Sequence, residues 1–236
     1  MHLAFWTNQI TGCGADPQCI EGSRINDSWA FFLSIEFQES GYLAYRFYKA
    51  AFGNLPGAPV PVQFNSFVPD AMQIGKDVIV NQGGWQTVLE SNKQAFANAF
   101  VQRSQFMSTY STALSPDAFV DMLFANAGVS PASTDRTAAI NKFAGATETS
   151  NLGARARALR LVAENPTLTQ QESNRAFVLM QYFGYLRRNP NDAPDGNFAG
   201  YNFWLNKLNS FSGNFLNAEM VKAFLSSSEY RQRFGP

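Results

Sequence analysis

Phe31-Phe-Leu-Ser34-Ile-Glu36-Phe37 near the start of the chain and Phe224-Leu-Ser-Ser227-Ser-Glu229-Tyr230 near its end are two writings of one pattern, and that repetition decides the fold. Each opens on an aromatic residue six positions before a closing Phe or Tyr, a spacing close to two helical turns. A weaker form, Phe100-Val-Gln-Arg103-Ser-Gln105-Phe106, stands between them. Ahead of each lies a Trp with an aliphatic residue four positions on: Trp6 with Ile10, Trp85 with Leu89, Trp204 with Leu208. Residues four apart stack on one helix face. Each copy therefore predicts a pair of amphipathic helices packed through their aromatics, with Trp6, Trp85, Trp204, Phe37, Phe106 and Tyr230 as core residues. The alternative for the same side chains is an aromatic platform that stacks sugars or bases.

Further helices of this kind fill the chain. Ser115-Pro116-Asp117 reads as an N-cap with Pro in the first turn of a helix that stops near Gly128. Thr169 and Glu172 have capping-box spacing ahead of the apolar run Ala176 to Phe183, which Asn189-Pro190 ends. Ala154 to Ala163 is a helix whose arginines are expected in solvent. Pro56, Pro59, Pro61 and Pro69 forbid a continuous helix from Asn54 to Pro69, so that segment is a long connection. Asp77-Val-Ile-Val80 resembles a strand, but one short strand makes no sheet. The expected fold is all-α, a repeat-like multi-helix bundle with a long Pro-rich connection. It divides either into an N-terminal lobe, 1–110, with a truncated first repeat, and a C-terminal lobe, 111–236, or not at all, the helix pairs packing as one body.

Charge balance excludes some partners. The 236 residues carry 18 Lys+Arg against 18 Asp+Glu, and only 15% are charged. That argues against nucleic acid, whose binding needs a basic footprint. A hydrophobic share of 45%, with 22 Phe, supplies a core and argues against disorder. No apolar run approaches the roughly 18 residues of a membrane span, so membrane insertion is not expected. Met1 to Ile10 lacks the basic region of a signal peptide. A helix that begins at once, with no cap, is expected of a domain cut from something longer.

The run Phe177 to Asn191, then Gly200-Tyr-Asn-Phe-Trp204-Leu-Asn-Lys-Leu208 and Glu229-Tyr-Arg-Gln-Arg-Phe234, resembles the bacterial domain-of-unknown-function 4214 family and, in the same pattern, the phycobilisome linker domain. The resemblance is strongest over Phe177 to Phe234. It implies a helical repeat module of large secreted or surface bacterial proteins, often beside calcium-binding repeats, and no catalytic residues. The chain departs from the pattern where His2 stands in the place of Gly200 and where the first copy lacks its preceding helix.

Catalytic chemistry has little to build on. The one histidine is His2, and no nucleophile elbow, phosphate loop, dinucleotide fingerprint or zinc-protease motif is present. Cys13 and Cys19 lie in a Gly- and Pro-containing loop that allows a disulfide, and hence an extracellular or cell-surface location; two reduced thiols are the alternative. The loop Asn189 to Gly200 offers hard oxygen ligands for Ca²⁺ from Asn191, Asp192, Asp195 and Asn197, though not in EF-hand register. Its alternative is a turn in which Asp and Asn cap the Trp204 helix. Arg187-Arg188, Arg155 with Arg157, and Arg231 are expected as solvated faces or as partners of Glu229 and Glu172. The leading expectation is a non-catalytic interaction or attachment module whose partner is a protein or a cell-surface component. A small Ca²⁺-dependent hydrolase of an ester or lactone, and a carbohydrate-binding module, are the alternatives.

Overall fold

A computed structural model describes residues 3–234, with side chains from Thr7 onward. The fold is all-helical, and no strand occurs among the described residues. The chain forms two compact units. One joins Met1–Gln38 to Asn174–Pro236, and the other is Glu39–Ser173. The sequence placed a boundary at 110 instead. Tyr110 lies inside the second unit, its ring packed on Phe106 before it and Phe119 after it, and its hydroxyl donates to the Ala51 carbonyl.

The first unit starts with α1 (Leu3–Thr11), α2 (Pro17–Leu33) and α3 (Ile35–Glu39). In α2 the Asp16 side chain accepts from the Gln18 and Cys19 amides, and Pro17 occupies the first turn, where no donor is lost. Trp29 stacks on Phe215 with ring centres 4.4 Å apart and meets Phe177 edge-on at 5.0 Å, which makes Trp29 and Phe32 the anchors of this unit's core. The Cys13–Cys19 disulfide links the end of α1 to the first turn of α2 with Cα atoms 5.5 Å apart. The Ser23 hydroxyl lies 3.3 Å from Cys13 Sγ, and only the hydroxyl has a proton to donate there.

The second unit is built around α4 (Gly41–Phe52), buried on almost every side. An all-round buried helix is normally apolar. This one carries three tyrosines and an arginine, and each finds a partner. Tyr42 donates to the Thr169 carbonyl, Tyr45 to Glu172 at 2.6 Å, Tyr48 to Asp70 at 2.8 Å, and Arg46 to the Ala163 carbonyl at 2.9 Å. Against α4 pack α5 (Phe64–Gly75), α6 (Trp85–Phe100), α7 (Ser104–Thr109), α8 (Pro116–Ala127), α9 (Ser133–Ile140) and α10 (Leu152–Ala163), directly or through one another. Rings run in contact from Phe47 through Phe100, Phe106 and Phe119 to Phe143.

Helix α8 is as the sequence predicts: the Ser115 side chain accepts from the Ala118 amide, and Gly128 closes the helix in the left-handed region at φ 71°. The proline-rich connection ends earlier than expected. Residues 54–63 are irregular, but Pro69 sits inside α5, which forgoes one amide bond there. Asp77 to Val80 is a turn, with Asp77 at φ 59°. The capping box is also displaced. Helix α11 (Pro166–Gln181) starts four residues before the expected cap, on Asn165, whose side chain accepts from the Thr167 and Leu168 amides. Thr169 bonds back to the Asn165 carbonyl, and Glu172 faces Tyr45 instead.

The repeated pattern proves to be a joint between two helices. At Ser34 and at Ser227 one extended residue, at φ/ψ −60°/146° and −62°/145°, separates the helices, and Arg103 does the same at −63°/142°. In each, the joint amide donates to the carbonyl three residues back and the joint carbonyl accepts from the amide four residues on, at 2.9–3.2 Å. The serines also cap through Oγ, to the amides of Phe37 and Tyr230. A fourth joint with the same bonds stands at Asn165, where the pattern is written with Val162 and Leu168 in place of aromatics. The Trp residues ahead of the joints are not equivalent. Trp85 is the first residue of its helix, whereas Trp204 sits in the middle of α12 (Ala199–Ser210). Both are half-buried, while Leu89 and Leu208 are buried; the Trp6 side chain lies outside the described residues. Phe37 and Phe106 are core, and Tyr230 is half-buried. The first unit is completed by α13 (Met220–Ser226) and α14 (Ser228–Phe234).

Candidate functional site

The segment richest in potential ligands is organised by one guanidinium. After α11 the chain widens into a π-turn, Tyr182–Leu186, and Arg187 closes it in the left-handed region at φ 54°. Arg188 then points inward. Its Nε and Nη2 hold the two oxygens of Glu229 at 2.7 and 2.9 Å, and Nη2 also reaches Asp195 at 2.7 Å. Its Nη1 donates to the carbonyls of Asn189 at 3.0 Å and Asp192 at 3.2 Å. The guanidinium also lies over the Tyr182 ring, 5.5 Å from its centre. The hydrogen bonds to Glu229, helped by those to Asp195, raise the Arg188 pKa still further despite burial. Planar, bidentate pairing of this kind suits arginine and not lysine.

Each of the four expected Ca²⁺ ligands has a place here. Asp195 pairs with Arg188. Asp192 accepts from both the amide and the side-chain nitrogen of Asn189, at 2.9 Å each, tightening the turn. Asn197 accepts from the Ala199 amide at 2.8 Å and so occupies the first free amide of α12, whose N-cap position, Phe198, has no side-chain cap. Asn191 is exposed. Among the described residues no group of three or more His, Cys, Asp or Glu stands arranged to hold a metal ion. The geometry matches the capping alternative only in part, at Asn197, and adds an ion pair at Asp195, where a divalent cation would meet the positive Arg188. The pairing of Arg188 with Glu229 was legible in the sequence. Arg155 was not: far from being solvated, it is fully buried.

The turn fixes the start of α12 and therefore the face that α12 shows. Gly200 makes this possible: a Cβ there would lie 2.8 Å from the Tyr182 hydroxyl. Burial, with the nearby Asp195 carboxylate adding to it, pushes that phenol up to about 12. Tyr201, Leu205 and Leu208 form the buried stripe of α12, and the Tyr201 hydroxyl donates to the Arg175 carbonyl at 3.1 Å. On the opposite side Phe203 is 58% exposed. Its ring meets Trp204 edge-on at 5.0 Å, and the Lys207 ammonium lies 5.3 Å from the Trp204 ring. Asn202 and Asn206 flank it in the open. The sequence reading missed Phe203, although its position two residues from Tyr201 takes it off the apolar stripe.

No family model, curated protein or solved structure matches the chain significantly. None of the described helices is long and apolar enough to cross a membrane.

Proposed function

We propose that the chain is a non-catalytic helical interaction or attachment module of a bacterial extracytoplasmic protein, and that it engages a protein or cell-surface component through the outer face of α12. The observation that carries this reading is the exposed Phe203 beside the half-buried Trp204, on a helix whose first turn is pinned by Arg188, Asn197 and Gly200. Rigidly presented aromatic side chains are the usual anchors of an interface. The disulfide supports an oxidising compartment, since such bonds seldom persist in the cytosol. The resemblance to the domain-of-unknown-function 4214 family stays part of the proposal and rests on the sequence pattern over Phe177 to Phe234.

A carbohydrate ligand is the second reading, favoured by Asn202 and Asn206 beside the Phe203 ring, an amide and aromatic pairing suited to a sugar face. The test is retention of the labelled full chain on bacterial envelope fractions and on a glycan panel, with Phe203→Ser combined with Lys207→Ser as the comparison. Retention on envelopes should fall at least tenfold in the variant while circular dichroism stays the same. Equal retention would show that α12 is not the contact face. Retention confined to glycans makes the ligand a carbohydrate. Ca²⁺-dependent turnover of an ester or lactone by the native chain would replace the module reading with that of a hydrolase.

A further inference from the structure

The loop between Cys13 and Cys19 is held by more than its sulfurs. Main-chain bonds run from the Cys13 amide to the Ile10 carbonyl at 3.1 Å, from Gly14 to Thr11 at 3.1 Å and from Asp16 to Cys13 at 3.2 Å. The Asp16 side chain caps the start of α2, accepting from the Gln18 and Cys19 amides at 2.9 and 3.3 Å. None of these bonds involves a side-chain sulfur. Cutting the S–S bond leaves them in place, so two cysteines whose Cα atoms are 5.5 Å apart stay within reach of each other and can close again. A bond that closes so short a loop adds little to stability, and its use has to be sought elsewhere.

The two sulfurs are not equivalent. Cys19 is exposed and stands beside the exposed Pro17 and Gln18, whereas Cys13 is half-buried. Ser23, one turn after Cys19 on α2, places its hydroxyl 3.3 Å from Cys13 Sγ. A thiolate attacking a disulfide approaches one sulfur and displaces the other, and the rate depends on access to the first and on how readily the second departs. Access favours attack at Cys19. Departure favours Cys13, because a bonded sulfur is a weak hydrogen-bond acceptor while a thiolate, being charged, is a strong one. The Ser23 hydroxyl therefore stabilises Cys13 more as it leaves than while it is bonded, which is what lowers a barrier.

We propose that the Cys13–Cys19 bond is a site of thiol–disulfide exchange, at which an external thiolate attacks Cys19 and Cys13 is the leaving group. The new bond joins the incoming sulfur to Cys19 Sγ. The Cys13–Cys19 bond breaks, and its electron pair goes to Cys13, which departs as a thiolate under the Ser23 hydroxyl. The exchange is confined to three sulfurs, so it needs no further oxidant or reductant. Renewed attack by Cys13 on Cys19 expels the incoming thiol and restores the closed form. The chain is thus joined reversibly, through Cys19, to whatever carries the thiol. This activity does not involve the α12 face, so either can fail without the other.

The test exposes the native full chain to reduced glutathione at pH 8, caps freed thiols with N-ethylmaleimide at early times and maps both adducts by mass spectrometry. Glutathione on Cys19 with maleimide on Cys13 should outnumber the reverse arrangement at least fivefold. Ser23→Ala should slow adduct formation at least threefold with circular dichroism unchanged, and Ser23→Thr, which keeps the hydroxyl, should stay within twofold of the native rate. Glutathione found equally on both cysteines or mainly on Cys13, equal rates for the native chain and Ser23→Ala, or no adduct at about 10 millimolar glutathione overturns the proposal. The mapping needs no variant, so it decides even if a Ser23 variant fails to fold. A small folded protein with one surface cysteine, run in parallel, separates the sources of the thiol: an adduct with it supports exchange with a partner protein, and adducts with glutathione alone support exchange with small thiols.

Discussion

Two of the buried arginines, Arg188 from the first unit and Arg155 from the second, solve the same problem by different means. Arg188 in the first unit is matched by charge, holding Glu229 and Asp195 as well as backbone carbonyls. Arg155 in the second unit has no carboxylate partner among the described residues. Its Nε donates to the Thr149 carbonyl at 2.6 Å, Nη1 to the Tyr110 carbonyl at 2.9 Å, and Nη2 to the Ser111 carbonyl and the Thr149 hydroxyl at 2.5 and 2.9 Å. Its guanidinium also lies 5.3 Å from the Phe119 ring centre. Burial accordingly pulls the Arg155 pKa below the ordinary arginine value, while ion pairing carries that of Arg188 above it. Neither loses its proton near neutral pH, because the guanidinium starts above 12. A positive charge can therefore be kept inside this protein by fixed dipoles alone, provided that the chain brings three carbonyls to one point.

Of the two arginines, Arg155 should be the more damaging to replace. Arg155→Met strands the buried carbonyls of Thr149 and Tyr110 along with the part-buried one of Ser111, and breaking such a buried cluster typically costs about 3–5 kcal/mol. Urea unfolding would measure it; a loss below 1 kcal/mol would mean that the carbonyls find other donors. Arg188→Met should cost less, about 2–3 kcal/mol, because the Glu229 and Asp195 side chains keep 24% and 36% of their exposure and can hydrate. Arg188→Lys should recover no more than half of that, since an ammonium cannot form the bidentate pair.

Gly200→Ala sharpens the picture of the Arg188 turn. The new Cβ would press on the Tyr182 hydroxyl, and overpacking of this kind costs about 1–2 kcal/mol. Adding Tyr182→Phe removes the oxygen and should return at least half of the loss; strictly additive effects would show that the contact is not the cause. Reducing the Cys13–Cys19 bond closes the series of larger effects at about 2 kcal/mol or less, because it frees only a short loop.

The smallest effect concerns Asp27, whose Oδ2 is buried with no hydrogen-bond partner among the described residues and whose pKa is raised by burial. A carboxyl with a raised folded-state pKa favours folding while it is protonated, and that contribution is lost as pH climbs from the ordinary Asp value through the raised one. Asp27→Asn should therefore raise the melting temperature slightly at pH 7 and show no such advantage near pH 3. A variant less stable at pH 7 would mean that the charged form is the one that the fold favours. Millimolar Ca²⁺ should leave the melting temperature of the native chain unchanged. A rise reversed by chelator would place the cation at Asp192 and Asp195 in competition with Arg188.

How much of this was legible depended on the distance between cause and effect along the chain. Ser34 and Ser227, each with an aromatic three residues on, made the repetition visible locally, but the six-residue spacing reads as two continuous helical turns, and the break at the serine was missed. Asn165 escaped because aliphatic residues replaced the aromatics while Thr169 and Glu172 imitated a cap nearby. Arg155 was misread because the carbonyls that hold it come from Tyr110, Ser111 and Thr149, and nothing in the sequence around Ala154 points to them. The Arg188 pairing with Glu229 was accessible as a matter of charge, but its hold on Asp195 and on the turn carbonyls was not. The proline at position 69 shows the limit of a local rule, since the packing of α5 on α4 and α6 outweighs one lost backbone bond.

Arg103 shows what the joint leaves free. It has no side-chain oxygen with which to cap α7, yet its backbone bonds match those at Ser34 and Ser227. Its guanidinium instead grips both oxygens of Asp70 at 2.7 and 2.8 Å and donates to the Tyr48 hydroxyl oxygen at 2.9 Å. The corner is held by the main chain, so its side chain is a vacant post that selection can fill without altering the path of the chain. A repeat built on such corners can diversify one residue at a time, each copy tying itself to different neighbours while every helix keeps its direction.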